Sequence, residues 1–317
     1  MSVAHFLLIS GRPDDLEFGQ YLASANRIEF HLASKREEIR NVLQEFPQTI
    51  VFWDAQAQSA PAVAVMLKSL VSPHKVFAIT DEPLNTYPDL FKTPSFGHHV
   101  FRRYQEPAPA IYSRLLAAAL TPYPFGLARF FPDSAPSNLV VLKKTTHRKA
   151  AMEASQTVLR KLGLPSRIAS ATSQAIDELL MNAIFDAPVD KQGSHSRKRE
   201  MRNAEFELGV REQVELELGW SDVAIGVRVS DNFGSLTKEE LLAFLSKNYQ
   251  EAAFSPAKAE RQEKGSGLGL YGITQSGLSV LFVSKPGVRT EVILIIPRAP
   301  DVRQFRSSFR FLSILGG

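Results

Sequence analysis

Glu178, Asn182 and Asp186 follow one another at steps of four within the run Ala175-Ile176-Asp177-Glu178-Leu179-Leu180-Met181-Asn182-Ala183-Ile184-Phe185-Asp186-Ala187. On a helix this spacing makes one polar row, while Ile176, Leu179, Leu180, Ala183, Ile184 and Ala187 make an apolar face. A carboxylate and an amide one turn apart can divide two tasks. The Asn182 amide oxygen can ligate a hard cation such as Mg²⁺, and Glu178 can accept a proton from an attacking hydroxyl or water. Further on, Gly265-Ser266-Gly267-Leu268-Gly269-Leu270 offers a second kind of chemistry. Its glycines let backbone N–H groups approach phosphate oxygens with no Cβ in the way, and a helix starting near Leu270 adds the positive end of its dipole. Between the two lies Asp231-Asn232-Phe233-Gly234-Ser235, a turn at the end of a strand pattern.

The elements that must hold these residues can be read from periodicity. A helical pattern from Lys144 to Leu162 leads to Gly163, a suitable stop; Ser166 can then cap the helix that carries Glu178 and Asn182, with Pro165 fixing its entry. Pro188 ends that helix. Residues 189–203 are polar and basic (Lys191, Arg197, Lys198, Arg199, Arg202), an exposed loop or a docking patch for an acidic partner. Glu205 to Leu208, Val214 to Leu218 and Ala224 to Val229 alternate as strands, a pattern that suggests an extra hairpin. Lys238 to Lys247 is a charged helix. Val280 to Val283 and Glu291 to Ile296 form an apolar hairpin around Pro286-Gly287, with Thr290 at its inner edge.

In this order, the three motifs resemble the GHKL nucleotide-binding fold shared by gyrase B subunits, heat-shock chaperones, histidine kinases and anti-sigma-factor serine kinases. The DELLMNA run is similar to the N box, DNFGS to the first glycine box and GSGLGL to the second, with the third reduced to Arg289-Thr290. The resemblance covers roughly residues 140–297. It implies a nucleotide site made of Asn182, Asp186, Asp231, Gly234, Lys264, Gly265, Ser266, Gly267, Leu268, Gly269, Leu270 and Thr290, with Asn182 on Mg²⁺ and Glu178 as catalytic base. Asp231 would read the exocyclic amine of adenine, Thr290 would touch the adenine edge, and Lys264 and Arg261 would approach the γ-phosphate from a lid. The family pattern Asp-x-Gly-x-Gly is altered, since Phe233 and Ser235 occupy its glycine positions.

The first 120 residues alternate strand and helix patterns. Strands are expected at His5–Ile9, Arg27–Leu32, Thr49–Trp53, Lys75–Ile79 and His99–Phe101, separated by helices, which argues for a doubly wound parallel sheet. Asp54 ending the third strand and Thr80 ending the fourth resemble a response-regulator receiver domain. That family carries an acidic pair directly after strand one, where this chain has Ser10-Gly11. Asp14-Asp15 come later, and the lysine near strand five is replaced by Arg102 or Arg103. One carboxylate is too few to hold Mg²⁺ against an incoming phosphoryl group, so a pseudoreceiver with an unphosphorylated Asp54 is expected.

The chain has 317 residues, 44% of them hydrophobic, a net charge of +4 and no cysteine. Disulfides and thiolate metal sites are therefore excluded. No apolar stretch approaches the roughly 18 residues of a membrane span, and the modest charge, interspersed with acids, does not point to nucleic acid. The expected fold is α/β: a pseudoreceiver-like unit (1–120), a proline-rich linker (121–138), a GHKL α/β sandwich (139–297) and a basic, aromatic tail (298–317). The resemblance implies a cytoplasmic signalling protein that binds ATP or ADP with Mg²⁺ and works with a protein partner, a homodimer being compatible. It would be a serine/threonine kinase of the anti-sigma-factor type or a non-catalytic ATP sensor. A histidine kinase fits less well, because no histidine begins that family's His-acid-hydrophobic motif.

Overall fold

Alternation of apolar strands with amphipathic helices builds the first unit. The computed structural model describes residues 4–81, 96–131, 135–254 and 268–316. Contacts divide the chain into one unit of residues 1–122 with 309–314 and a second of residues 123–308 with 315–317. In the first, strands β1 (His5–Ile9), β2 (Glu29–Leu32), β3 (Ile50–Asp54), β4 (Val76–Thr80) and β5 (His98–Phe101) alternate with helices α1 (Pro13–Asn26), α2 (Arg36–Glu45), α3 (Ala60–Leu70) and α4 (Ala108–Ala119). The strands pair in parallel in the order β2-β1-β3-β4-β5. Helices α1 and α4 pack together, as do α2 and α3. β3 and β4 are buried along their whole length, as expected for a parallel sheet covered on both faces.

The expected C-terminal tail holds regular structure. Helix α9 (Val302–Ser307) is capped by Asp301, whose carboxylate accepts the Gln304 N–H at 2.8 Å. Strand β11 (Phe311–Gly316) then pairs antiparallel with β5. Phe309 and Phe311, which fall in the first unit, are each 1% exposed and so belong to buried core.

The second unit is an antiparallel sheet in the order β9-β10-β8-β7-β6, made from β6 (Ser137–Leu142), β7 (Val214–Trp220), β8 (Ala224–Asp231), β9 (Ser279–Lys285) and β10 (Arg289–Pro297). Helices α5 (His147–Lys161), α6 (Ser166–Met181), α7 (Lys238–Phe254) and α8 (Leu268–Gln275) accompany it. On β8 the alternation is decisive. Val227, Val229 and Asp231 share one face with their β10 partners Leu294, Val292 and Thr290, while Gly226, Arg228 and Ser230 take the other. Residues of the expected linker cover that second face. A Cβ at Gly226 would stand 2.5 Å from the Phe131 ring and 2.6 Å from Leu127, so glycine lets this segment press onto the strand. Arg228, also on that face, is buried among Glu215, Glu217 and Glu291.

Three local expectations are corrected. Pro165 takes the N-cap position of α6 and Ser166 is its first helical residue, with no side-chain cap. Glu205 to Leu208 forms no strand: a single bridge joins Glu207 to Lys144, because Phe206 is held by Thr145 and turned toward Phe185 and Arg197. Strand β6, unread in the sequence, comes from the short run Leu139-Val140-Val141-Leu142.

Candidate functional site

Helix α6 does not end where its α-geometry does. Residues Asn182–Asp186 continue it as one π-turn, closed by the Ala187 N–H donating to the Asn182 carbonyl at 2.8 Å. A π-turn widens the helix locally and shifts the side chains beyond it relative to α-spacing. Asn182 and Asp186 then line one cavity of about 250 Å³, together with Asp231 and Thr290 from the paired ends of β8 and β10 and Leu270 from α8. Its apolar floor includes Leu179, Val229 and Val292. Residues far apart in the chain thus converge because the sheet register sets Thr290 opposite Asp231.

Asp231 is 7% exposed. Burial pushes its pKa up to about 6, against the opposing pull of the Phe233 and Gly234 N–H groups, which donate to Oδ1 at 2.8 and 3.3 Å. The Thr290 hydroxyl lies beside this carboxylate, close enough to favour its ionised form, yet is not aligned to bond it. It is a buried polar atom without a protein partner at the cavity wall, the condition a polar ligand would relieve. Gly234 does not line the cavity but shapes it. Its φ is +60°, and a Cβ there would stand 2.0 Å from the Lys285 carbonyl oxygen. The one glycine of the DNFGS turn therefore sits where the chain both turns left-handed and presses on the β9–β10 turn.

Glu178, one turn before Asn182, opens instead toward a cavity lined by Gln174 of α6, by Gly272 and Ile273 of α8 and by Ser276 just after it. The Asn182 amide lies close enough to Glu178 to favour its ionised form. Burial raises the Glu178 pKa; Arg202 and the nearby Asn182 amide oppose the rise, and Asp186 and Asp177 add to it.

The basic loop 189–203, expected to be exposed or a docking patch, is partly built into this site. Arg202 pairs with Asp186 at 2.9 Å and donates to the Met181 carbonyl, and its guanidinium lies 5.3 Å over the Phe185 ring. Arg197 makes a two-point contact with Glu212 at 2.9 and 3.1 Å. His195 and Lys198 line the cavity itself. Sequence reading missed these two, along with Ser235 and Leu236 before α7 and Glu240 and Phe244 within it. The strand positions two removed from Asp231 and Thr290 could have identified Val229 and Val292. Nothing local marks His195. Lys264, Gly265, Ser266 and Gly267, with Arg261, lie outside the described residues, while Leu268 and Gly269 form the first residues of α8.

In the first unit, Asp54 and Thr80 end adjacent strands, as expected. The expectation of a single carboxylate is corrected. Asp15 of α1 is fully buried, and Asp81 follows Thr80. Arg102 then binds all three acids: Asp15 at 2.8 Å, Asp54 at 2.9 Å and Asp81 at 2.8 Å. Arg12 adds contacts to Asp54 at 3.5 Å and Asp81 at 2.9 Å. Burial opposes the Arg102 charge, but its bonds to Asp15 and Asp81 outweigh this and raise its pKa. Thr80 is hydrogen-bonded to His99 at 2.8 Å. His99 is held neutral by burial, with the Arg310 charge adding to the effect, and its pKa falls to about 3.

Among the described residues no helix is long and apolar enough to cross a membrane. No family model matches the chain, and no curated protein does. Among solved structures, a chain of the SiaB–SiaC complex from Pseudomonas aeruginosa is similar over 49% of this chain and 88% of its own, at 12% identity and a TM-score of 0.31, a weak likeness that carries no inference.

Proposed function

We propose that the second unit is an ATP-binding domain of the GHKL type and that the chain is a signalling protein, a serine/threonine kinase resembling the anti-sigma-factor kinases. The observation that carries this reading is the cavity in which Asn182, Asp186, Asp231 and Thr290 converge. A buried carboxylate at the end of an apolar slot suits a base that offers an amine there, as adenine does and guanine does not. The unpartnered Thr290 hydroxyl beside it supplies a second polar contact for the same base. Asn182, on the cavity wall, would present its amide oxygen to Mg²⁺, which when bound would neutralise phosphate charge. Lys198 adds positive charge at the exposed mouth.

Glu178 is the candidate base. Its raised pKa makes it a better proton acceptor than an exposed glutamate, and its place beside α8 puts it next to the element that follows the glycine-rich run. A second reading, a non-catalytic ATP sensor, draws support from the same placement: Glu178 opens into a different cavity from Asp231. In either case the first unit would be a pseudoreceiver that works by contact with a protein partner. The place where a receiver of that family holds its metal ion is here taken by the guanidinium of Arg102.

Label transfer from radioactive ATP to candidate partner proteins, alongside calorimetric titration with ATP and GTP, tests the proposal. ATP binding with transfer supports the kinase, and ATP binding without transfer supports the sensor. Equal affinity for ATP and GTP removes the assignment of Asp231 and with it both readings.

A further inference from the structure

Away from the acidic cluster, at the amino ends of the parallel strands, three potential metal ligands meet. His5 belongs to β1, and Glu29 and His31 to β2, the edge strand of the first unit's sheet. His5 is the register partner of Glu29, and Leu7 that of His31. Register partners and alternate residues share a face, so all three side chains leave the sheet on the same side. Leu7 and Ile9, the next β1 residues on that side, enter the core with Ile39 and Leu43 of α2. Phe46, immediately after α2, stacks on the His5 ring with centroids 3.8 Å apart and planes 17° apart, and lies 5.3 Å from His31. The imidazoles are thus oriented by packing before any ligand arrives.

The ligand atoms lie within 4.8 Å of one another. Nδ1 of His5 is 3.0 Å from Nε2 of His31 and 3.7 Å from a Glu29 carboxylate oxygen, and Nε2 of His31 is 3.9 Å from the other. In a tetrahedral site with bonds of about 2.0–2.2 Å, ligand atoms stand about 3.3–3.6 Å apart. The three distances, two of them to different oxygens of Glu29, straddle that range, and small side-chain rotations close the difference. Without a cation, the two facing ring nitrogens can only share a single proton as an N–H···N bond. With one, both lone pairs and the carboxylate are satisfied together.

We propose that His5, Glu29 and His31 form a site for a divalent transition cation, zinc by its tetrahedral preference. Two imidazoles and a carboxylate disfavour Mg²⁺ and Ca²⁺, which take oxygen ligands. The fourth position falls to water, because Glu29 is more than half exposed. Bound metal would staple the short edge strand β2 to β1, a structural role independent of the nucleotide site.

The test uses the full, untagged chain after chelator treatment, titrated with zinc chloride in a calorimeter at neutral pH. One equivalent is expected to bind, and free zinc at about 100 times Kd should shift the unfolding equilibrium about 100-fold toward the folded state. His5→Gln and His31→Gln should each abolish this site. Imidazole nitrogen NMR of the wild type, which depends on no variant, should show metal on Nδ1 of His5 and Nε2 of His31. Absence of zinc binding overturns the proposal, and so does zinc whose stoichiometry survives both substitutions or whose signals fall on other histidines.

Discussion

Asp231→Asn separates what the site costs from what it does. The buried carboxylate has a pKa of about 6 in place of the ordinary 3.8. Between those values the folded chain holds a proton that the unfolded chain has released, so folding stability falls as pH rises through the window. Below it the penalty is absent, and above it the penalty is complete. A gap of about two units corresponds to about 3 kcal/mol. Asparagine keeps the Oδ1 acceptor for the Phe233 and Gly234 N–H groups but carries no charge. The variant should therefore be more stable than the wild type by up to about 3 kcal/mol at pH 8, with the gain vanishing near pH 4. For a unit of this size that is a rise of roughly 6–12 °C in Tm. It should also lose ATP affinity, since an acceptor for the adenine amine becomes a donor, at a cost of about 1.5–3 kcal/mol. Urea unfolding at pH 4 and pH 8, followed through Trp220 of β7 in a Trp53→Phe background, reads the stability, and calorimetry reads the nucleotide. A variant no more stable than the wild type at pH 8, or equally stabilised at pH 4, would refute the burial argument.

Other substitutions probe the remaining parts. Glu178→Gln should leave ATP binding nearly intact but abolish hydrolysis or transfer, and wild-type turnover should rise with pH as the carboxyl, its pKa raised by burial, becomes ionised; unchanged turnover in the variant would remove Glu178 as base. Asn182→Ala should weaken nucleotide binding only when Mg²⁺ is present, which paired titrations with and without the cation would show. Gly234→Ala forces a side chain into a left-handed position against the Lys285 carbonyl and should cost at least about 1–2 kcal/mol by thermal denaturation. Acetyl phosphate with Mg²⁺ should leave the wild type unmodified by intact-mass spectrometry. Arg102→Ala strands three carboxylates and should cost about 3–5 kcal/mol, recovered in part by added Mg²⁺; a phosphoryl adduct on wild-type Asp54 would show that the guanidinium does not block the site.

The amino-acid sequence by itself carried what depends on neighbours along the chain. Alternation at residues 224–229 and 291–296 marks β8 and β10, the apolar spacing from Ile176 to Ala187 marks the buried face of α6, and Gly163 at φ +74° marks the stop of α5. The position of Asp231 at a strand end was legible for the same reason. Tertiary structure decided what depends on which distant segments meet. No local pattern says that Thr290 registers with Asp231, that the π-turn brings Asp186 to the cavity of Asn182 while Glu178 opens to another, or that Arg202 folds back onto Asp186. The acidic cluster shows the limit most clearly. In sequence, Ser10-Gly11 reads as a missing acidic pair, but Asp15 turns inward from α1 and Asp81 arrives from the end of β4, and both close on Arg102. Periodicity reports which face of an element is apolar. It is silent on ion pairs between elements, because these are fixed by the packing of the elements that carry them.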